Sequence, residues 1–414
     1  MILKLFRNCR VYTPIDPGAP PKGNEQGQLR FWDKGALLVR DGLIEAVGDE
    51  REVLGFWGEK EPDLVVDCGG RCLIPGFVDP HTHMCFSTVR EEEFSLRIAG
   101  TPYLEILKRG GGILSSVRSV READERKLYD MTMTRVASAL KSGSTTVEIK
   151  SGYGLDTQTE LKMLKVIDRV GKDSPAGVVP TFLGAHAVPQ EFLPDTDRYV
   201  DLVVEEMIPA VAEQGIARFC DVFCEEGVFS IEQSSRILTA AREAGLGIKI
   251  HADEVHDLGG AGLAAELGAI SAEHLLAAGD ANLEAMARAG VIAVLLPGTA
   301  LSLKKPYARA RKMIELGVAV ALASDCNPGS CYIESMPLIF SLAVLNMDLT
   351  VEEALTAATL NAAYALGMAD RVGSLDKGKQ ADFLLLEGSS PAYLAYRAGS
   401  SCVAEVYKKG ERLS

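Results

Sequence analysis

Histidine is scarce in this chain, six in 414 residues, and so are tryptophan, with two, and aromatics as a class, at 6%. No stretch of about 18 consecutive apolar residues occurs, so a helical membrane span is not expected. Basic residues are in deficit, 43 Lys and Arg against 57 Asp and Glu, for a net charge of −14. A nucleic-acid partner would demand a basic surface, so none is expected; acidity otherwise serves solubility. The nine cysteines contain no Cys-x-x-Cys pair, and an odd, scattered set fits reduced thiols better than a disulfide framework. Cys220 with Cys224, or Cys326 with Cys331, could bind a metal, but buried small hydrophobes is the plainer reading. The apolar patch in MILKLFRNCRVYTP is too short for a signal peptide, and a cytoplasmic location is the expectation. Gly110-Gly111-Gly112 follows no strand and lacks the spacing of a phosphate loop.

Hydrophobic residues, at 47%, are plentiful enough for a large core. Length suggests two or three domains, although one α/β barrel of roughly 250 residues would absorb most of the chain. Eight β-rich runs, CLIPGFVDPH, TTVEIKSG, GVVPTFLGAH, FCDVFCEEG, GIKIHADE, AISAEHL, VIAVLLPG and VAVALASD, alternate with helical stretches such as TELKMLKVIDRV and SSRILTAAREAG. Their continuous apolar character suits strands buried on both faces, and the alternation predicts a (β/α)8 barrel. The ends read differently. ALLVRDGLIEAVGD is two strands around an Asp-Gly turn, and ADFLLLEG and CVAEVYKKGERL are again short β runs. The expected organisation is a small β-sandwich domain built from residues 1–70 and 366–414, with the barrel, 71–365, inserted between them.

Polar residues collect at the carboxyl ends of the eight runs, where barrel enzymes build their sites. His81 and His83 stand two apart after the first run, so both imidazoles can face one point. Alone, such a pair is weak evidence, and two satisfied strand-end histidines is the plainer reading. But His186 ends the third run, His251 the fifth and His274 the sixth, leaving only His256 elsewhere. Asp325 closes the eighth run and adds an anionic oxygen. Three histidines and an aspartate would leave one coordination position open, the arrangement of a catalytic rather than a structural metal site.

This pattern resembles the amidohydrolase superfamily, as does the closing KGKQADFLLLE. Binuclear members commonly carry a carbamylated lysine after the fourth strand; here that run ends in Cys224, Glu225 and Glu226, and Lys150 ends the second. One metal is therefore expected, with Glu225 or Cys224 as lesser candidates for a second. The segments VREEEFSLRIAGTPYLEI, RGGGI, TTVEIKSGYGL, FLGAH, IHADE, AEHL and SDCNPGS further resemble the imidazolonepropionase family, with departures at Ser87-Thr88-Val89 and in LSSVRSVREAD.

That resemblance implies hydrolytic ring opening of 4-imidazolone-5-propanoate to N-formimino-L-glutamate, in histidine degradation, by a cytoplasmic homodimer holding one Zn or Fe ion per subunit. It implies His81, His83, His251 and Asp325 as ligands, and His274, Asp325 and Glu254 as catalytic groups. Arg90, Tyr103, Tyr153, His186, Glu254, Asn327, Gly329 and Ser330 would touch the substrate. Plainer readings stand beside several of these. Without the resemblance, Arg90 is a surface partner of Glu91 to Glu93, Glu254 a solvated loop acid, and Asn327-Pro328-Gly329 a turn. The alternative activity is that of another cyclic amidohydrolase, or of a deaminase acting on a different small heterocycle. A catalytically silent relative would be expected to have lost ligands, and none is lost here.

Overall fold

The computed structural model describes residues 2–55, 61–101, 105 and 110–413. Its first five strands are β1 (Leu3–Pro14), β2 (Leu29–Arg40), β3 (Leu43–Asp49), β4 (Leu64–Asp67) and β5 (Cys72–Pro75). β2 and β3 turn at Asp41-Gly42, both with positive φ, the backbone a tight hairpin requires. Asp-Gly supplies that backbone at little cost, which is why this turn could be read in advance.

Eight parallel strands follow: β6 (Phe77–Asp79), β7 (Ser144–Lys150), β8 (Gly177–Ala185), β9 (Phe219–Cys224), β10 (Gly247–Ala252), β11 (Ser271–His274), β12 (Ile292–Leu295) and β13 (Val320–Leu322). They hydrogen-bond in sequential order from β6 to β13. Ladders end there, and the seam between β13 and β6 closes just past the strand ends. Ser324 donates its N–H to Asp79 Oδ1 at 3.0 Å, Asp325 N–H to the His81 carbonyl at 3.0 Å and His83 N–H to the Cys326 carbonyl at 2.9 Å. Closure therefore sets the first and last strand ends side by side.

The expected first run, CLIPGFVDPH, is two strands rather than one. Cys72–Pro75 pairs with the terminal sheet and Phe77–Asp79 with the barrel. Gly76 makes the change of sheet: a Cβ there would lie 2.4 Å from Thr145 Oγ1, so a side chain has no room.

The last strands are β14 (Phe383–Leu386), β15 (Val403–Lys408) and β16 (Glu411–Arg412). β14 pairs antiparallel with β5, so both ends of the chain share one mixed sheet in the order β16-β15-β14-β5-β1-β2-β3, with β4 against β1. Phe6, Phe383 and Tyr407, from opposite ends of the chain, pack at centroid distances of 4.5–5.0 Å in its core, Phe383 stacked on Tyr407 and Phe6 edge-on to both. Lys408 joins this sheet to the barrel through the Thr145 carbonyl, 3.0 Å away.

The expected amphipathic helices form at Thr157–Asp173 and Ile231–Glu243, each burying one face on the barrel. A capping box at Ser230 and Gln233 starts the second by satisfying otherwise unpaired N–H groups. READERK, which reads as one solvated helix face, instead spans a junction: Arg121 and Glu122 close the helix Ile113–Glu122, Ala123 is buried, and Asp124 caps the helix Glu125–Lys141. The helix Glu91–Ile98, above the strand ends, buries none of its side chains.

Candidate metal centre and active site

Past the end of β6 the chain carries His81 and His83 into the barrel mouth, both buried. Their Nε2 atoms lie 3.2 Å apart, and His83 Nε2 is 3.4 Å from His251 Nε2 at the end of β10. Asp325 Oδ1 is 3.4 Å from His81 Nε2 and 3.5 Å from His83 Nε2. Four donors about 2.1 Å from a common ion in a tetrahedral site would be separated by roughly 3.4 Å. The residues therefore fit such an ion: bare lone pairs and an anionic oxygen converge at the separations that coordination demands. Burial holds His81 and His83 well below the usual histidine range, so both stay neutral. Burial also works to lower His251, but Asp221 beside it reverses the shift. Asp325 is turned in by a positive φ of 54°, and His274 by one of 73°. Neither is glycine, and such backbone costs of order 1–3 kcal/mol, held here by the surrounding structure. Thr299 Oγ1 donates to the other oxygen of Asp325 and fixes its carboxylate plane.

The cavity over this cluster measures about 600 Å³ and has His83, Tyr153, His186, His251, His274 and Asp325 at its floor. His186 stacks on His83, centroids 4.9 Å apart. Its Nδ1 lies 3.1 Å from the Gly152 carbonyl, and burial pushes its pKa down to about 3, so this Nδ1 is the donor of a neutral ring. His274, pushed down to about 4 by burial, sits with Nδ1 3.7 Å from Glu254 Oε1. Burial raises Glu254 to about 7.

Arg90 lines the same cavity, yet it is also paired. Nε donates to Glu93 Oε2 at 2.9 Å and Nη2 to Glu93 Oε1. The plainer reading of an Arg90–Glu93 pair thus holds, but the pair is not on the surface: the two side chains are 13% and 15% exposed. Gly329 backs the guanidinium, and a Cβ there would lie 2.4 Å from Arg90 Nη1. Asn327 lines the wall with both ends of its amide engaged in its own loop. Oδ1 accepts from the N–H groups of Gly329 and Ser330, both at 2.8 Å, and Nδ2 donates to the Asp325 carbonyl at 2.8 Å. Its place is to shape the loop that carries Gly329 and Ser330. Tyr103 lies outside the described residues.

A model of the amidohydrolase family matches residues 72–413. Over 410 residues, 99% of each chain, the sequence is 66% identical to the imidazolonepropionase of Desulfotalea psychrophila. It is 62% identical to that of Syntrophobacter fumaroxidans over 99% of this chain and 96% of the relative. The chain belongs to the imidazolonepropionase branch of the amidohydrolase family. Among solved structures, E. coli guanine deaminase superposes with a TM-score of 0.74 over 99% of both chains at 18% identity, a likeness of fold.

Further residues, unmarked by any short sequence pattern, hold the segments around this amidohydrolase's cavity. Glu160, buried on the helix Thr157–Asp173, accepts from the N–H groups of Gly152, Gly154 and Leu155 at 3.0, 2.7 and 2.9 Å and so builds the KSGYG loop. Arg135 holds the segment after His83 through the carbonyls of Met84 and Phe86, at 2.9 and 2.7 Å. Arg97 anchors the helix above the site to the Gly329 carbonyl at 3.0 Å. Glu225, a lesser candidate for a second metal, instead accepts from Val255 N–H and faces His256 Nδ1, both at 2.9 Å. All nine cysteines are free and buried, as the plainer reading has them. Among the described residues no helix is long and apolar enough to cross a membrane.

Proposed function

We propose that this chain is an imidazolonepropionase, opening the ring of 4-imidazolone-5-propanoate by hydrolysis to give N-formimino-L-glutamate. The observation that carries the reading is the 66% identity to a relative of that name over nearly the whole of both chains.

His81, His83, His251 and Asp325 would hold one Zn or Fe ion, since imidazole and carboxylate suit both. When bound, such an ion acidifies water and so supplies a nucleophile near neutral pH. Asp325, its carboxyl raised by burial, takes the proton as water oxygen adds to the ring carbonyl carbon. His274, neutral, donates a hydrogen bond to the oxygen on which charge develops; a single donor of this kind is worth about 3 kcal/mol. Glu254 delivers a proton to the ring nitrogen as its bond to that carbon breaks. His186 orients the ring from the opposite side. Arg90 and Tyr153 take the propionate carboxylate, supported by Tyr103, while Asn327 orders the loop through which Gly329 and Ser330 close that end. The nine free thiols accord with a cytoplasmic setting, and the family relationship with a homodimer. The partner is a small molecule alone, neither nucleic acid nor membrane.

Purified protein supplied with imidazolone propionate should release formimino-glutamate. Inertness toward that substrate, with ammonia released from purines or pyrimidines instead, would replace this reading with a deaminase.

A further inference from the structure

Beneath the imidazoles lies a second tier of charge that the reaction above does not use. Lys150 ends β7, and its Nζ lies 2.8 Å from Glu148 Oε2, 2.8 Å from Asp221 Oδ2 and 3.1 Å from Glu273 Oε2. These carboxylates come from β7, β9 and β11, and all four side chains are fully buried. Lys249 on β10 lies 2.9 Å from Glu148 Oε1 and 3.4 Å from Glu273 Oε1, and donates to the Pro80 carbonyl at 3.1 Å. Pro80 directly precedes His81. Two ammoniums against three carboxylates leave the tier at −1. It is fully buried and cross-linked, and removal of any member would strand a buried charge.

Its upper face meets two of the three imidazoles. Glu273 Oε2 contacts His81 Nδ1, and Asp221 Oδ2 lies 2.9 Å from His251 Nδ1. The same two oxygens are those that Lys150 holds. A carboxylate at Nδ1 keeps the proton there and turns the Nε2 lone pair outward, as ligation needs. His83 differs: among the described residues no carboxylate pairs with its Nδ1, its one acidic neighbour Asp325 lying at Nε2, and its ring stacks on His186.

We propose that Lys150 is a positioning residue: by clamping Asp221 and Glu273 together it presets the tautomers of His81 and His251, so that the site is organised for a cation before one arrives. The proposal rests on the reading of His81, His83, His251 and Asp325 as ligands. It concerns the order in which the site is built, not the substrate. Lysine suits the post because its ammonium offers three donors from one point, and three carboxylates from three strands surround it.

Nitrogen-15 spectra of histidine in the metal-free wild-type protein give the first test. His81 and His251, assigned by single substitution, should each show one fixed tautomer protonated at Nδ1; protons on Nε2, or averaging between the two, would overturn the proposal. Zn(II) affinity measured by chelator competition gives the second. Lys150→Met should bind about 10–100-fold more weakly, and its histidine spectra should lose the fixed tautomers. Lys150→Met/Glu148→Gln keeps the tier at −1 and so guards against misfolding from excess charge. A folded double variant with equally weakened affinity supports positioning, whereas wild-type affinity would show that Lys150 merely balances charge and would overturn it. Should neither variant fold, the wild-type spectra decide. Fixed tautomers in a protein that takes up no metal would remove the ligand assignment, and with it the claim that the site is organised for a cation.

Discussion

Arg90 makes two hydrogen bonds to Glu93 while facing the cavity, so an incoming carboxylate must share or displace an existing partner. Charge-assisted hydrogen bonds contribute about 1.5–3 kcal/mol each. Arg90→Ala should therefore lower kcat/KM for imidazolone propionate by roughly two orders of magnitude or more; a loss of only a few-fold in steady-state assays would place the anchor elsewhere. Glu254 has a consequence for pH. Burial penalises its carboxylate and holds it protonated up to about pH 7, with Glu225 adding to the rise and His251 and Lys305 opposing it. A group that delivers a proton must carry it, so activity should hold below about pH 7 and fall as pH rises above it. Glu254→Gln should cost about 10²–10⁴-fold in rate and abolish that falling limb; a limb unchanged in the variant would assign the titration to another group.

At the scale of single elements, the loop after β7 depends on a residue outside it. Glu160 satisfies three buried N–H groups, and each left unpaired costs about 1–3 kcal/mol, not additively. Glu160→Ala should destabilise the chain by about 2–4 kcal/mol in urea unfolding, and raise KM because Tyr153 and His186 flank that loop. Ser230→Ala, at a capping box remote from the cavity, should cost about 1 kcal/mol and leave KM unchanged. Comparing the two separates loss of stability from loss of site geometry. The buried tier had a signal at this scale too. Glu148 and Lys150 alternate with Ile149, and Lys249 and His251 with Ile250, a period of two that sends each pair to the same side of its strand. Their neighbours' apolar character hid them, because each run reads as a fully buried strand.

For the whole molecule, metal removal and folding should be linked but separable. Anything bound only by the folded state stabilises it by mass action. Stripping the protein with a chelator should abolish turnover and lower Tm, while far-UV circular dichroism stays native because the barrel and its charged tier are cross-linked without an ion. Zn(II) or Fe(II) should restore both activity and Tm; collapse of the secondary structure on stripping would show that the ion holds the fold itself.

What the sequence determined by itself was local or periodic: apolar runs long enough for buried strands, an Asp-Gly hairpin, and histidines placed where runs end. Such features need only a few neighbouring residues to be legible, since strand geometry fixes which side chains share a side. Tertiary structure alone decided what lies across the seam and beneath the site. Asp325 reaches His81 because the Asp79 carboxylate binds Ser324, 245 positions away, and Lys150 gathers acids from three separate strands. No short-range pattern encodes those meetings; they arise when a sheet of eight strands closes on itself and brings buried charges within reach of one another.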